Sequence, residues 1–515
     1  MTSMKFPTNQ LSRLMTKSLI LSLIISFLNF NTLLAQVHYK DDGHPWNTRI
    51  KKGPDAEVPG WYYNLGVTGI RVQLDPVNLK ALQVKYVFAK SPASKKLYVN
   101  DLIVGVNGKN FQKDHLNGYG MDKFGAQGPI EEFAHVLDKA QTFQSRGYLT
   151  LNILRKNKPI QVRLKVSTKY GAYADSYPVN CKKSKKIIKE LLDYIIKNQF
   201  PNGGFGHPVD DLWCPLALMA SGDRKSMKAV KKNVYLQAKS VRNYKNRNEG
   251  LINWHYVTAG IVLSEYYLKT RDRKILPAIQ LTYDFLYKSQ YTDYSQVSKR
   301  DPLGNPNRKN PTEEQAKGGW GHNPGYQGYG PIAMITGKGA LALTLMSRCG
   351  IEVDQDRLKM AFDFLHRGTG NNGYTWYADK HSAHNKYADM GRTGVSAIAH
   401  SLSSSSSNEY KKHALLQSKL IGDFPLSFPD THASPILGMG YTALGAFVDK
   451  QNFQKLMQAN RYWFTLSQCY DGTFYYQPNR DSNGYGQNSR LLPSAVTALI
   501  FLIPQKSLYI TGRLK

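Results

Sequence analysis

One short sequence phrase recurs along this chain and constrains its fold more than any other feature. Gln199-Phe200-Pro201-Asn202-Gly203-Gly204-Phe205 and Gln468-Cys469-Tyr470-Asp471-Gly472-Thr473-Phe474 share a pattern: Gln, two residues, Asn or Asp, Gly, one residue, Phe. Gly318-Gly319-Trp320-Gly321 and Asn372-Gly373-Tyr374 are shorter versions, and Gly250-Leu251-Ile252-Asn253-Trp254 and the break near Pro429 are weaker ones. The marks recur roughly every 45 to 66 residues, which is the length of two helices with their connections. The residues from Ser184 onward are therefore expected to stack as five to six helical hairpins.

The residues between the marks fit that expectation. Ser184 to Gln199 carries Ile187, Ile188, Leu191, Leu192, Ile195 and Ile196 on one face, with Ser184 placed as its cap. An outer-type helix such as Ile275 to Gln290 precedes each mark. A helix rich in small and apolar residues follows, such as Ile332 to Met346 or Leu491 to Leu502. The glycine lets the chain reverse, the aromatic ring packs under the neighbouring hairpin, and Gln or Asn satisfies a helix end. Tyr291 to Lys317, rich in Pro, Asn and charge, reads as an inserted loop.

The first 183 residues follow other rules. Lys5, Arg13 and Lys17 precede an apolar run from Leu19 to Phe30, and Ala35 offers a cleavage point before Gln36, so residues 1–35 are expected to be a signal peptide. That places the protein outside the cytoplasm, with no membrane span after cleavage. Residues 36–60 form a leader. From Trp61 to Val166 short apolar alternations, Ile70 to Leu74, Val84 to Phe88, Leu102 to Val106, Tyr148 to Leu154 and Ile160 to Val166, predict the strands of a small barrel or sheet. Gly128 to Lys139 predicts one amphipathic helix, and residues 169–183 a basic linker. The chain is thus expected to be multidomain: a β-rich unit over residues 61–168, then an all-α unit over 184–515.

Two resemblances sharpen this reading. Gly66-Val67-Thr68-Gly69-Ile70, then Ser91-Pro92-Ala93, then Leu97 through Val104-Gly105-Val106-Asn107-Gly108-Lys109 resemble, in order, a PDZ domain of the bacterial type. That likeness implies that Leu65, Gly66, Thr68, Gly69 and Ile70 receive a peptide or protein carboxylate terminus, the peptide adding as a strand. The hairpin array resembles the α/α toroid of terpenoid cyclases, protein prenyltransferases and several polysaccharide lyases, an inner ring of helices within an outer one. The whole combination is similar to a family of uncharacterised secreted bacterial proteins, which supplies no catalytic residues to carry over.

Composition narrows the partner. The 515 residues hold 68 Lys and Arg against 37 Asp and Glu, a net charge of +31. Without the first 35 residues, 65 basic groups remain against 37 acidic ones, or +28. The basic runs Lys182 to Lys189, Arg224 to Lys232, Lys239 to Arg247 and Lys269 to Lys274 are expected on solvated outer faces. Nucleic acid is a poor match outside the cytoplasm, so anionic polysaccharide, or acidic lipid headgroups, is the expected partner. Cys181, Cys214, Cys349 and Cys469 form no CxxC pair, and Trp213-Cys214 reads as a packed, half-buried thiol.

In a toroid the turns beside the inner helices line one mouth of the ring. His207, His322 with Asn323, His255, Tyr377 and Arg392 fall there, near Tyr374, Trp376, Asp379, His381, His384, Asp389, Thr431 and His432. Such a set can abstract a proton beside a carboxylate and neutralise the enolate, which is lyase chemistry on an acidic sugar chain. The competing reading makes the Gly-His pairs hydrogen-bond adjacent helix ends, in a scaffold that binds without reacting. No metal or other cofactor is expected: His381-Ser382-Ala383-His384 reads as a loop, and no HExxH or Cys/His set is present. Asp210-Asp211 and Asp354-Gln355-Asp356 do not make the acidic cluster of squalene-type cyclases. Nucleophile-elbow and phosphate-loop motifs are also missing.

Overall fold

The computed structural model describes residues 37–38, 62–75, 77–115, 128–206, 210–242, 251–298, 311–328, 330–380, 389–403, 407–429, 431, 435–476, 481–482 and 490–513. The expected signal segment lies outside them. So does most of the leader, of which Val37–His38 (β1) is described.

The next unit is an open antiparallel sheet built from Tyr63–Asn64 (β2), Ile70–Leu74 (β3), Leu82–Val87 (β4), Leu102–Val106 (β5), Lys109–Asn110 (β6), Tyr148–Arg155 (β7) and Lys158–Lys165 (β8). The spatial order is β2-β3-β4-β5-β7-β8, with β6 paired to β5. Period-two alternation buries Leu149, Leu151 and Ile153 on one face of β7. Pro129–Ala140 (α1) lays Ile130, Phe133, Ala134 and Leu137 over β5 and β7.

All remaining helices pack into two layers. They are Lys182–Lys197 (α2), Asp210–Ser221 (α3), Arg224–Arg242 (α4), Ile252–Thr270 (α5), Leu276–Ser289 (α6), Ala333–Arg348 (α7), Gln355–Arg367 (α8), Met390–Leu402 (α9), Asn408–Asp423 (α10), Pro435–Ala446 (α11), Lys450–Ala459 (α12), Arg461–Ser467 (α13) and Leu491–Leu502 (α14). Helix α3 packs on α5, α5 on α7, α7 on α9, α9 on α11, α11 on α14, and α14 returns to α3. This is a closed inner ring of six. Helices α2, α4, α6, α8, α10 and α12 lie against it from outside. The inner helices α5, α7, α9, α11 and α14 are buried nearly all round, as a ring packed on both sides requires.

The recurring phrase has one physical basis at four places. Gly203, Gly318, Gly373 and Gly472 have φ of +97°, +89°, +91° and +89°. Two residues later the backbone N–H donates to a side chain at the start of the next inner helix. Phe205 donates to Asp211 (2.9 Å), Trp320 to Thr336 (3.0 Å), Thr375 to Thr393 (3.0 Å) and Phe474 to Ser494 (3.0 Å). Two glutamines act as expected: Gln199 Nε2 donates to the carbonyls of Gly203 (2.8 Å) and Ala229 (2.9 Å), and Gln290 Nε2 to those of Gly318 (2.7 Å) and Arg357 (3.0 Å), whereas Gln468 Nε2 and Oε1 have no hydrogen-bond partner. A Cβ on Gly318 would stand 2.1 Å from the Met360 carbonyl oxygen. Gly318→Ala is therefore expected to lower unfolding free energy by about 2–4 kcal/mol, from left-handed strain plus overpacking. Urea denaturation would measure it.

Several expectations are corrected at and near the junction. Helix α2 begins at Lys182, and its cap is Cys181, whose Sγ accepts from Ser184 N (3.4 Å); Ser184 sits inside the first turn. The basic linker is thus partly helix. Lys183, expected on a solvated face, is fully buried, pairing with Asp138 of α1 (2.9 Å) and Gln141 Oε1 (2.6 Å). Cys214, expected to be half-buried, is completely enclosed.

Candidate functional site at the mouth of the ring

The expected site residues fall into two groups joined by the start of α7. In the first, His322 and Asn323 hold the start of α5: Asn253 N–H donates to the His322 carbonyl (3.0 Å), Ile252 N–H to Asn323 Oδ1 (3.4 Å), and Asn253 Nδ2 to the Gly321 carbonyl (2.9 Å). The His322 ring also serves as an acceptor, because Trp254 Nε1–H donates to its Nδ1 (2.8 Å). His255, one residue on, is exposed. In the second group, Arg392 donates to the Tyr374 hydroxyl (3.1 Å) and lies 3.5 Å from Asp389, with its guanidinium 5.7 Å from the Tyr377 ring centre. Ala333 N–H donates to the Tyr377 carbonyl (2.8 Å), which ties this group to α7. His207, His381, His384 and His432 lie outside the described residues.

Five inner helices each contribute a buried polar residue, and four of these hold an atom that has no hydrogen-bond partner. Trp213 Nε1 (α3), Thr258 Oγ1 (α5), Arg392 Nε (α9) and the Tyr441 hydroxyl (α11) have no hydrogen-bond partner. Lys338 of α7 is 1% exposed, and its Nζ lies 4.6 Å from the centre of the Trp254 ring. No carboxylate is within ion-pair distance of it among the described residues. Each of the five sits within the first two turns of its helix, so all lie at the same end of the ring, within about 10 Å of the helix starts. A buried polar group left without a hydrogen bond costs about 1–3 kcal/mol, and four at one end beside a buried lysine require a common reason.

Electrostatics distinguish the two cations. Burial, with no acid to offset it, pulls the Lys338 ammonium down to about 7. Burial also acts on Arg392, but Asp389 and Tyr374 outweigh it and hold the guanidinium above its ordinary value. One group can therefore gain or lose a proton near neutrality, and the other is a fixed charge. Trp213, Thr258, Lys338 and Tyr441 were not singled out as site residues in the sequence. The available signal was a cation between two glycines, Gly337-Lys338-Gly339, inside an otherwise apolar helix. Those glycines let Val395 and Trp320 pack directly against the helix on either side of it in sequence.

The N-terminal unit sits at the rim of the same mouth. Residues Leu65 to Ile70 are all buried. Asn64 Nδ2 donates to the Leu466 carbonyl (2.5 Å), and a Cβ on Gly66 would stand 2.8 Å from the Thr465 carbonyl oxygen. Within the loop, Leu65 N–H donates to the Ile70 carbonyl (3.0 Å) and Thr68 N–H to that of Leu65 (3.4 Å). Arg71 lies over the Tyr475 ring (4.0 Å), and Arg490, at the start of α14, over Phe88 (5.2 Å). The leader strand β1 reaches this side too, pairing with Asp481–Ser482 (β9). The loop expected to receive a peptide terminus thus packs against α13.

Residues 184–512, the helical ring, match the model of a family described as Domain of unknown function (DUF6288). The chain belongs to the DUF6288 family. No curated protein matches this DUF6288 chain by sequence. Among solved structures, its ring is similar to the α-1,6-mannanase GH76A of Salegentibacter sp. HEL1_6, at 12% identity and TM-score 0.43, over 61% of this chain and 99% of that one. The GH76 α-mannanase of Bacteroides thetaiotaomicron is similar at 11% identity and TM-score 0.45, over 62% and 94%. Cellobiose 2-epimerase from Spirochaeta thermophila is similar at 11% identity and TM-score 0.41, over 63% and 98%. No helix among the described residues of the DUF6288 protein is long and apolar enough to cross a membrane.

Proposed function

We propose that the mouth of the ring binds an anionic polysaccharide outside the cytoplasm and cleaves it by β-elimination. The observation that carries this reading is the set of buried polar residues on five inner helices, four of them with an atom lacking a hydrogen-bond partner and two of them cationic, beside the aromatic rings of Trp254, Tyr374 and Tyr377. A sugar chain supplies many hydroxyls for such groups and a flat apolar face for the rings. Its carboxylate matches the cations.

Each step then has a residue. Lys338, neutral in the main above its lowered pKa, takes the proton from the carbon beside the uronate carboxylate. Arg392 Nε–H, buried and without a hydrogen-bond partner, stabilises the charge that spreads onto that carboxylate. The indole of Trp254 fixes His322 Nδ1 as the acceptor, so in the neutral ring Nε2–H is a donor that can hydrogen-bond the departing sugar oxygen, which leaves with the proton that Lys338 has taken. The carbon–oxygen bond breaks and leaves an unsaturated end. The N-terminal unit supports the rim, its carboxylate loop being used in contact with α13.

Two outcomes test this reading. Incubation with uronate-containing and sulfated polysaccharides is expected to generate unsaturated ends from at least one of them, read as ultraviolet absorbance. Salt-sensitive binding with no new ends across the panel would replace the lyase with a scaffold. A C-terminal peptide library is expected to show no specific binding to the full chain; a peptide that binds and is lost on Gly66→Ala would return the N-terminal unit to peptide capture.

A further inference from the structure

A second cluster of titratable groups lies where the outer helices α8 and α10 meet the inner helix α9. His366 of α8, His400 of α9 and His413 of α10 form a stack: the ring centres of His366 and His413 are 4.1 Å apart, and those of His400 and His413 are 5.2 Å apart. Glu409, one turn before His413 on α10, approaches its Nε2 at 3.7 Å. Nitrogen or oxygen atoms of His366, Glu409 and His413 all lie within 4.8 Å of one another.

The hydrogen bonds fix the tautomers. His400 Nδ1 faces the Ser396 carbonyl at 2.9 Å, and a carbonyl only accepts, so Nδ1 carries the proton. His400 Nε2 is then the acceptor for His366 Nε2, 2.9 Å away. His366 therefore bears its proton on Nε2 and presents Nδ1 as a lone pair, its other nitrogen anchored to a buried imidazole. A metal-binding histidine is commonly held this way, with its second nitrogen oriented by a fixed partner. His413 Nδ1 is buried without a hydrogen-bond partner.

We propose that His366, Glu409 and His413 form a site for a divalent first-row transition metal of the zinc class, which clamps α8 to α10. Two imidazoles and a carboxylate suit such a cation, with ligand distances of about 2.0–2.2 Å and a fourth position left to water. The His366 and His413 rings are 17° from parallel, so their lone pairs do not yet meet. Binding turns the His413 ring, which is a quarter exposed and able to move, out of the stack. His366 stays in place on His400. His400 is a positioning residue and contributes no ligand.

Cobalt(II) titration of the chelator-treated full chain tests this site. The expected result is one equivalent bound with the visible absorption of a four-coordinate site, displaced by zinc(II), and a melting temperature that rises with metal. His413→Ala and Glu409→Gln alter partly exposed side chains and are expected to melt like the metal-free parent. Both should weaken cobalt binding at least tenfold. Wild-type protein that binds no cobalt, or a His413→Ala variant that binds with the parent's affinity and absorption, would overturn the proposal.

Discussion

Replacing Lys338 by Met is expected to abolish turnover of whichever polysaccharide the panel identifies, while making the protein more stable by up to about 5 kcal/mol at pH 7. The two effects share one cause. An ammonium ordinarily near 10.5 is held at about 7 by burial, so the folded state pays for its charge whenever it is protonated. Between about pH 7 and 10.5 the unfolded chain binds this proton and the folded one does not, so wild-type stability rises with pH across that window. Below it both states are protonated and the full penalty applies. The Met variant lacks the rise, so its advantage is greatest at or below pH 7 and fades towards pH 10. Urea denaturation of both proteins at three pH values measures it. Equal slopes with pH, or a variant less stable at pH 7, would remove Lys338 from the role of buried base. A stabilised variant with intact turnover would make it structural.

The second large effect belongs to the junction. Asp138→Ala strands the fully buried ammonium of Lys183 against Gln141 alone and is expected to cost about 3–5 kcal/mol, the usual penalty for removing one partner of a buried pair. Burial pulls Lys183 below its ordinary value, and the Asp138 carboxylate offsets part of that. Substituting Lys183→Met and Asp138→Leu together is expected to restore most of the loss, because no buried charge is then left unpaired. Chemical denaturation gives the stabilities, and limited proteolysis between residues 166 and 182 reports release of the sheet from the ring. A single variant within about 1 kcal/mol of wild type would mean that apolar contacts alone hold the junction.

Local rules were legible in the sequence, and contacts between distant residues were not. Gly203, Gly318, Gly373 and Gly472 could be read because a left-handed turn is a local demand that glycine meets. Strands β3 and β5 fell at the expected residues because alternation has period two. Lys183 was misplaced because a run of lysines looks solvated, and its partner lies 45 residues upstream. Leu65 to Ile70 gave no sign that Thr465 and Leu466 cover them, since some 400 residues separate the two surfaces. His366 and His413 look like ordinary members of two amphipathic helices until the ring brings α8 and α10 side by side. His322 shows both behaviours: its backbone caps a neighbouring helix, as the plainer reading held, and its imidazole is oriented by Trp254.

Ring closure also sets an order of events. Most hairpins pack on their neighbours in sequence, but the contacts of α14 with α2 and α3 join residues nearly 300 positions apart. Until residues 491–502 have been synthesised, α3 and α11 each lack one of their two neighbours in the inner ring. A nascent chain can therefore build its hairpins one by one but cannot finish its core until α14 arrives. Glu265 of α5 then receives the N–H groups of Tyr509 and Ile510 (3.1 and 2.8 Å), fastening the segment that closes the circle.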